Sequence, residues 1–463
     1  MRQETPGERS EFGRRTRVKV PRSRLGEWQP PSDRTDPLEI LASQATTRIP
    51  DLVPIRYGRM AASAFAFFRG AAAVMAADLA HEEQTGLEVQ LCGDAHLSNF
   101  GSFASPERDL IFDVNDFDET IPGPFEWDLK RLAASLEIAA RSRDFDEATR
   151  SSIVAQGSNA YRTAMRGFAT MRDLEIWYSR LDTAAIAARW GDQVGRKVTE
   201  AFQRRAAKAQ SKDHLAALAK LTVEVDGKLR FVDNPPLMVP AEDLFTDVYS
   251  KQTVGNLYDA LIQYRRTLSG ERQRLLAKYD FIDLARKVVG VGSVGTRCWV
   301  ALFVGRDNGD PLFLQVKEAE AAVGEPYLGR SEYAHHGQRV VEGQRLMQGA
   351  SDIFLGWDSF LGEDGIRRDF YLRQLWDWKA SAVIDQMAPD LLGIYAQMCG
   401  WTLARAHARS GDAIAMGSYL GKGDRFDRAM CQFAAAYADQ NERDFDVLTR
   451  AIADGQVHAV SGV

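Results

Sequence analysis

Features that would fix a function on their own are scarce in this sequence. The four cysteines, Cys92, Cys298, Cys399 and Cys431, are widely spaced and form no CxxC pair. That indicates neither a zinc site nor a disulfide framework, and makes a reducing cytoplasm the expected setting. Positive charge is not in excess: 58 Lys and Arg against 64 Asp and Glu leave a net charge of -6, so nothing global points to nucleic acid. Long apolar runs are missing too. Ala61 to Ala80 comes closest, but Arg69 and Asp78 interrupt it, which predicts a buried helix rather than a membrane span. Gly13-Arg14-Arg15-Thr16-Arg17 is followed by Pro30-Pro31-Ser32-Asp33 with no apolar core between, so no twin-arginine export is expected. Residues 1 to 50, polar and rich in Arg and Pro, are expected to be a flexible arm on the surface.

What is present is an ordinary globular composition, 45% hydrophobic and 26% charged over 463 residues, enough for a large core and two or three domains. The informative stretch is Leu91-Cys92-Gly93-Asp94-Ala95-His96-Leu97-Ser98-Asn99-Phe100, followed by Ile111-Phe112-Asp113-Val114-Asn115-Asp116-Phe117-Asp118-Glu119. It reads as a short strand, a polar loop, and a second strand that breaks into carboxylates. Each Asp, Asn or Gly alone is better explained as a turn former, because its side chain or freedom suits local backbone bonding. Together they supply what magnesium-dependent phosphoryl transfer requires. One carboxylate accepts the proton of an attacking hydroxyl, while an amide oxygen and another carboxylate hold Mg²⁺ against nucleotide phosphates.

Helical periodicity follows from Glu126 to Arg141 and continues through Ser152 to Ala169, Thr183 to Ala209 and Asn256 to Tyr279. Arg204, Arg205, Lys208 and Lys212 read as a solvated helix face. Arg69, inside its apolar helix, is expected to meet a carboxylate or a phosphate.

A second informative stretch, Lys287 to Val300, contains Gly290, Gly292, Ser293 and Gly295 in a GxGxxG pattern. A dinucleotide fold needs a helix after the last glycine, whereas a kinase glycine loop joins antiparallel strands. Cys298 to Val304 reads as a strand, Asp307-Asn308-Gly309-Asp310 as a hairpin turn, and Leu312 to Val316 as another strand. The kinase-type reading is therefore preferred.

These segments carry resemblances. Gly93 to Asn99 resembles the GDxHxxN catalytic loop of aminoglycoside and choline phosphotransferases, with Cys92 replacing their usual His, and Asn115 to Asp118 resembles their metal-binding segment. Asp128 sits where those enzymes keep an Asp at a helix start. Nearly the whole chain is also similar to the uncharacterised bacterial domain-of-unknown-function 2252 family, through Phe67-Phe68-Arg69-Gly70, Cys92 to Gly101 and Asn115 to Leu132. The phosphotransferase resemblance implies Asp94 as catalytic base, Asn99 and Asp116 as Mg²⁺ ligands with Asp118 or Asp113 as additional ones, and Lys317 with the glycine loop on ATP phosphates. Glu342 is the natural ion-pair partner for Lys317, with Glu332 as the alternative. The strand Asp369 to Trp376, including Gln374 and Leu375, resembles the hinge that would hold adenine. The helix Ile394 to His407 resembles one that precedes the catalytic loop in small-molecule kinases.

The order of these parts is rotated relative to such enzymes, which implies circular permutation, tolerated where termini lie close together. The expectation is an α+β, two-lobed, kinase-like fold. Residues 51 to 283 and 376 to 463 form a mostly helical large lobe, and residues 284 to 375 form a small antiparallel-sheet lobe. The expected partners are ATP, Mg²⁺ and an unidentified acceptor, without membrane or nucleic acid. A non-catalytic ATP-binding module and transfer of AMP are the alternatives.

Overall fold

The computed structural model describes residues 4–191, 214–244, 255, 259–362, 364–375, 378 and 380–462. Arg204, Arg205, Lys208, Lys212 and Trp376, together with residues 192–209 and 256–258 of the helical patterns, lie outside the described residues. The protein is α+β, a helical body beside antiparallel sheets. Among the described residues no helix is long and apolar enough to cross a membrane.

The larger sheet grows directly from the sequence pattern. Cys298–Val304 pairs antiparallel with Asp280–Lys287 on one side and with Pro311–Ala319 on the other. Alternation along the central strand sends Trp299, Ala301 and Phe303 to one core and Val300, Leu302 and Val304 to another, as a strand buried on both faces requires. The hairpin turn closes because the Asp307 side chain accepts the Gly309 N–H at 2.9 Å, a local bond that Asp offers to turns. Arg367–Gln374 and Gly356–Leu361 extend the sheet at one edge, and Met238–Pro240 adds the sixth strand at the other. Sequence reading assigned that last segment to the large lobe; it is three residues long and carries too little periodicity to be seen.

The helical body is built from Glu126–Arg141, Glu147–Phe168, Pro389–Ser410 and Arg425–Ala453. One apolar cluster runs through it from Val20 to Ala438, joining residues before the sheet, such as Phe68 and Leu132, to residues after it, such as Leu403 and Phe433. The short sheet pair Glu88–Leu91 and Ile121–Pro124 leads into this body, with Leu91 opposite Ile121.

Two expectations are corrected. Ala61 to Ala80 is not one helix but two, Ala64–Gly70 and Ala72–Leu79. Ser63 caps the first by accepting the Ala66 N–H at 3.0 Å, and Ala71 leaves helical geometry at φ -109°, ψ 32°, so the chain bends where hydrophobicity alone reads straight on. Residues 4–50, expected to belong to a flexible arm, are instead folded against the helical body. Pro6–Lys19 is a helix opened by a Thr5/Glu8 capping box, which satisfies two otherwise orphaned donors. It docks on Ala413–Leu420 through Arg9 to Asp412 at 2.8 Å and Arg17 Nε to the Tyr419 carbonyl at 2.8 Å. Further on, Arg34 pairs with Asp78 and Asp444, each at 2.6 Å. The arginines that make this segment look solvated are the groups that attach it.

Gly13 lies in that contact, where an added Cβ would fall 2.0 Å from the Ala415 carbonyl oxygen. Gly13→Ala should therefore lower stability by about 1–3 kcal/mol, measured by urea unfolding; an unchanged midpoint would mean the helix is undocked.

Candidate functional site

The Asp94 loop is held from beneath. Asp128, in the first turn of Glu126–Arg141, accepts the backbone N–H groups of Cys92 at 2.8 Å and Gly93 at 3.0 Å. His407 Nε2 lies 3.2 Å from the same carboxylate, and His407 Nδ1 is 2.8 Å from the Tyr161 hydroxyl. Asp128, His407 and Tyr161 are all essentially buried. Ser135 Oγ accepts the Leu97 N–H at 2.8 Å. A loop fixed by charge-assisted bonds in a dry interior has little freedom to move.

On this base, Asp94 Oδ1 accepts Arg131 Nε at 2.8 Å, and Arg131 Nη2 donates to the Phe68 carbonyl at 2.7 Å. Asp94 Oδ2 is 3.6 Å from His96 Nε2, too far for a hydrogen bond. Burial raises the Asp94 pKa, more than Arg131 and Arg69 pull it down. The same burial, with Arg131 and Arg69, depresses His96 well below its ordinary value, so His96 is neutral at pH 7. Asn99 Nδ2 donates to the Asp94 carbonyl at 2.8 Å, which leaves the Asn99 amide oxygen available as a ligand.

Across the cleft, Lys317 is 3% exposed, yet its Nζ lies 2.5 Å from Asp118 Oδ2 and 3.8 Å from Asp116 Oδ1. Tyr371 donates its hydroxyl to Asp118 Oδ1 at 2.7 Å. Burial alone would lower the lysine pKa, but Asp116 and Asp118 raise it well above the ordinary amine value. Burial pushes Asp118 up as well, and Lys317 and Tyr371 override it, so Asp118 is held low. Asp116, by contrast, is raised by burial and by the neighbouring Asp118 charge.

The partner of Lys317 is thus corrected: Asp118 occupies the position expected of Glu342. Glu342 instead accepts Arg345 Nη1 at 3.0 Å, and Glu332 is exposed. With both oxygens of Asp118 engaged, Asp116 and Asn99 are the donors left facing the cleft. Asp113 is removed from the ligand set, because it forms a buried pair with Arg405 and accepts the Gly349 N–H at 2.8 Å.

The glycine loop joins two antiparallel strands, and Gly290 and Gly295 take φ of +64° and +92°, values that favour glycine. The loop is tied to the N-terminal helices: Arg59 Nη1 donates to Gly290 O and Arg48 Nη1 to Val294 O, each at 2.5 Å. The hinge expectation changes in detail. The Gln374 N–H donates to Asp352 and the Leu375 N–H to Phe313 O at 2.9 Å, so neither backbone donor is open to a base, although both residues line the cleft.

Two cavities of about 920 and 720 Å³ meet at this site, each in the size range of ligand pockets. Asp94 faces the larger; Lys317, Gln374 and Leu375 face the smaller. Asn99, Asp116, Gly290 and Ser293 line both, together with Arg69. Gly292 belongs to the larger chamber. Among the described residues there is no group of three His, Cys, Asp or Glu side chains poised for a metal. One carboxylate and one amide oxygen nevertheless fit Mg²⁺ that arrives with phosphate oxygens and water, its usual manner of binding.

Several site residues escaped sequence reading. Arg131, Arg339, Arg48 and Arg56 are all buried charges within helices or capping loops. Arg339 donates to the carbonyls of Asp118 at 2.8 Å, Thr120 at 2.6 Å and Glu320 at 2.7 Å, fixing the carboxylate turn against the sheet. An arginine among apolar helical neighbours, the signal that exposed Arg69, is also present at Arg339 beside Val340 and Val341.

Fold and site together define an α+β protein with a two-chambered cleft between a helical body and an antiparallel sheet. By sequence the chain belongs to the family described as "Uncharacterized protein conserved in bacteria (DUF2252)", whose model matches residues 48–451. No curated protein and no solved structure matches it.

Burial pushes the Glu119 carboxyl up to about 7, against the bond it accepts from the Val323 N–H. As pH rises from the unfolded pKa of about 4.3 to 7, the unfolded chain loses this proton first, so stability declines across that window. Glu119→Gln, which keeps the acceptor and cannot ionise, should gain in Tm over wild type between pH 5 and pH 8. A constant offset at both pH values contradicts the assignment.

Proposed function

We propose that this protein is an ATP-dependent phosphotransferase with a circularly permuted kinase-like fold, acting on an acceptor hydroxyl. The observation that carries the reading is the division of the cleft. The carboxylate suited to be a base opens onto one chamber, the buried lysine onto the other, and Asn99 and Asp116 stand between. The permutation is supported by Gln90, whose N–H donates to Ser410 Oγ at 3.0 Å across 320 residues of sequence. The strand before the Asp94 loop therefore lies beside the end of the helix expected to precede it.

In this mechanism Lys317 and the glycine loop hold the phosphates in the smaller chamber, and the acceptor occupies the larger. Asp94 Oδ2, which accepts no hydrogen bond among the described residues, receives the proton as the acceptor oxygen attacks the γ-phosphorus. Arg131 fixes the carboxylate by its other oxygen. The bond between that phosphorus and the β–γ bridging oxygen breaks, and its electron pair leaves with ADP. The products are phosphorylated acceptor, ADP and a proton. Mg²⁺ held by Asn99 and Asp116 would neutralise phosphate charge.

Incubation with ATP labelled separately at the γ and α phosphates, in Mg²⁺ and cell extract, tests the reading. The γ label should move to an acceptor; movement of the α label would instead indicate transfer of AMP, and movement of neither a binding module. Asp94→Asn should lower transfer by about 10²–10⁴-fold and leave the ATP-induced thermal shift intact. Asp116→Ala should abolish the Mg²⁺-dependent part of that shift, and equal stabilisation by ATP in EDTA would contradict the ligand assignment.

A further inference from the structure

The larger chamber carries positive charge that the transfer chemistry does not use. Arg48, from the turn after Pro37–Ala45, Arg56, from Val53–Met60, and Arg69, from Ala64–Gly70, converge on its wall. Arg56 is 1% exposed and Arg48 9%. Part of each is bound: Arg48 Nη1 donates to Val294 O, and Arg56 Nη2 to Gln44 Oε1 at 2.9 Å and Gly70 O at 3.1 Å. Yet Arg48 Nε, Arg56 Nε and Nη1, and Arg69 Nε are buried donors with no hydrogen-bond partner among the described residues. Among the described residues none of the three arginines forms an ion pair with a carboxylate. Buried arginines are ordinarily paired, and each unmade charged hydrogen bond in an interior is costly.

Acidic side chains also line this chamber, Asp94, Asp116, Asp118, Glu119, Glu320 and Glu325 among them. Glu320 and Glu119 attract Arg48 and Asp94 attracts Arg69 from a distance, but among the described residues none forms an ion pair with the three. Glu318 is engaged by Arg297 at 3.3 Å and Arg368 at 3.2 Å, and Glu39 is exposed. The groups left unbonded are guanidinium N–H donors, and planar guanidinium donors suit phosphate oxygens.

We infer that the larger chamber binds an acceptor that already carries a phosphate group, held by Arg48, Arg56 and Arg69. This rests on the larger chamber being the acceptor side, as proposed above. The phosphate anchors the acceptor at the arginine wall, and a separate hydroxyl of the same molecule reaches Asp94. The transferase is then one that adds a second phosphate to a phosphomonoester.

The test uses the full chain with its nucleotide site filled by Mg²⁺ and a non-hydrolysable ATP analogue, titrated with inorganic phosphate at ionic strength held constant with chloride, and read by calorimetry. Phosphate should bind, acetate should bind more weakly, and Arg69→Gln should weaken phosphate binding about 10-fold or more, a larger loss than it causes in binding of the analogue. Arg69 is the first target because it is only half-buried; Arg48→Lys, which keeps the charge, should retain more phosphate affinity than Arg48→Gln. Phosphate binding no tighter than acetate, or unaffected in Arg69→Gln, overturns the inference. Analogue binding without phosphate binding sinks the anion site alone, whereas phosphate binding without analogue binding leaves it standing and removes the phosphotransfer reading.

Discussion

The ion pair of Lys317 with Asp118 is the contact on which the cleft depends. Its partners are 199 residues apart, one on the central region of the sheet and the other on a turn of the helical body. Lys317 is 3% exposed, so its charge has left water and is sustained only by the carboxylates beside it. Removing one partner of such a pair leaves a buried, uncompensated charge, worth about 3–5 kcal/mol. Tyr371 and Arg339 reinforce the contact by binding the Asp118 carboxylate and carbonyl. A side chain held this way is a structural bolt between the sheet and the helical body, and it is the group proposed above to hold nucleotide phosphates. Burial first, and then the Asp118 charge, raise the Asp116 pKa; the two carboxylates of this turn are the complement a divalent cation would meet.

The second constraint lies in the helical body. Asp128 takes two backbone donors of the Asp94 loop, and His407, from a helix near the other end of the chain, closes on the same carboxylate. Residues distant in sequence therefore determine where Asp94 stands. Arg131 then fixes one of its oxygens, and the other accepts no hydrogen bond among the described residues, so the protein itself sets where the carboxylate stands.

Much of this was legible locally. The strand, glycine loop, strand, hairpin and strand from Asp280 to Ala319 follow from β-branched runs and from an Asp-Asn-Gly-Asp turn whose bonds are made within four residues. The Asp94 loop and the carboxylate turn were legible for the same reason. The partner of Lys317 was not, because Asp118 and Glu342 are equally acidic and only tertiary structure decides which arrives. The docked N-terminal segment was hidden by its own arginines, which composition counts as solvated and the fold pairs, Arg9 with Asp412 and Arg34 with Asp78 and Asp444. Arg48 was missed because a guanidinium in a polar-looking segment gives no sign that it will be buried, whereas Arg56, between Ile55 and Tyr57, carries the same apolar-neighbour signal as Arg69 and Arg339.

The most direct measurement is a crystal structure with Mn²⁺ and a non-hydrolysable ATP analogue, phased to show the metal by its anomalous signal. The account predicts a metal peak bound by the Asn99 amide oxygen and the Asp116 carboxylate, with the base in the Lys317 chamber and the γ-phosphate directed toward Asp94. A nucleotide bound outside this cleft, or a metal that touches neither Asn99 nor Asp116, would contradict it.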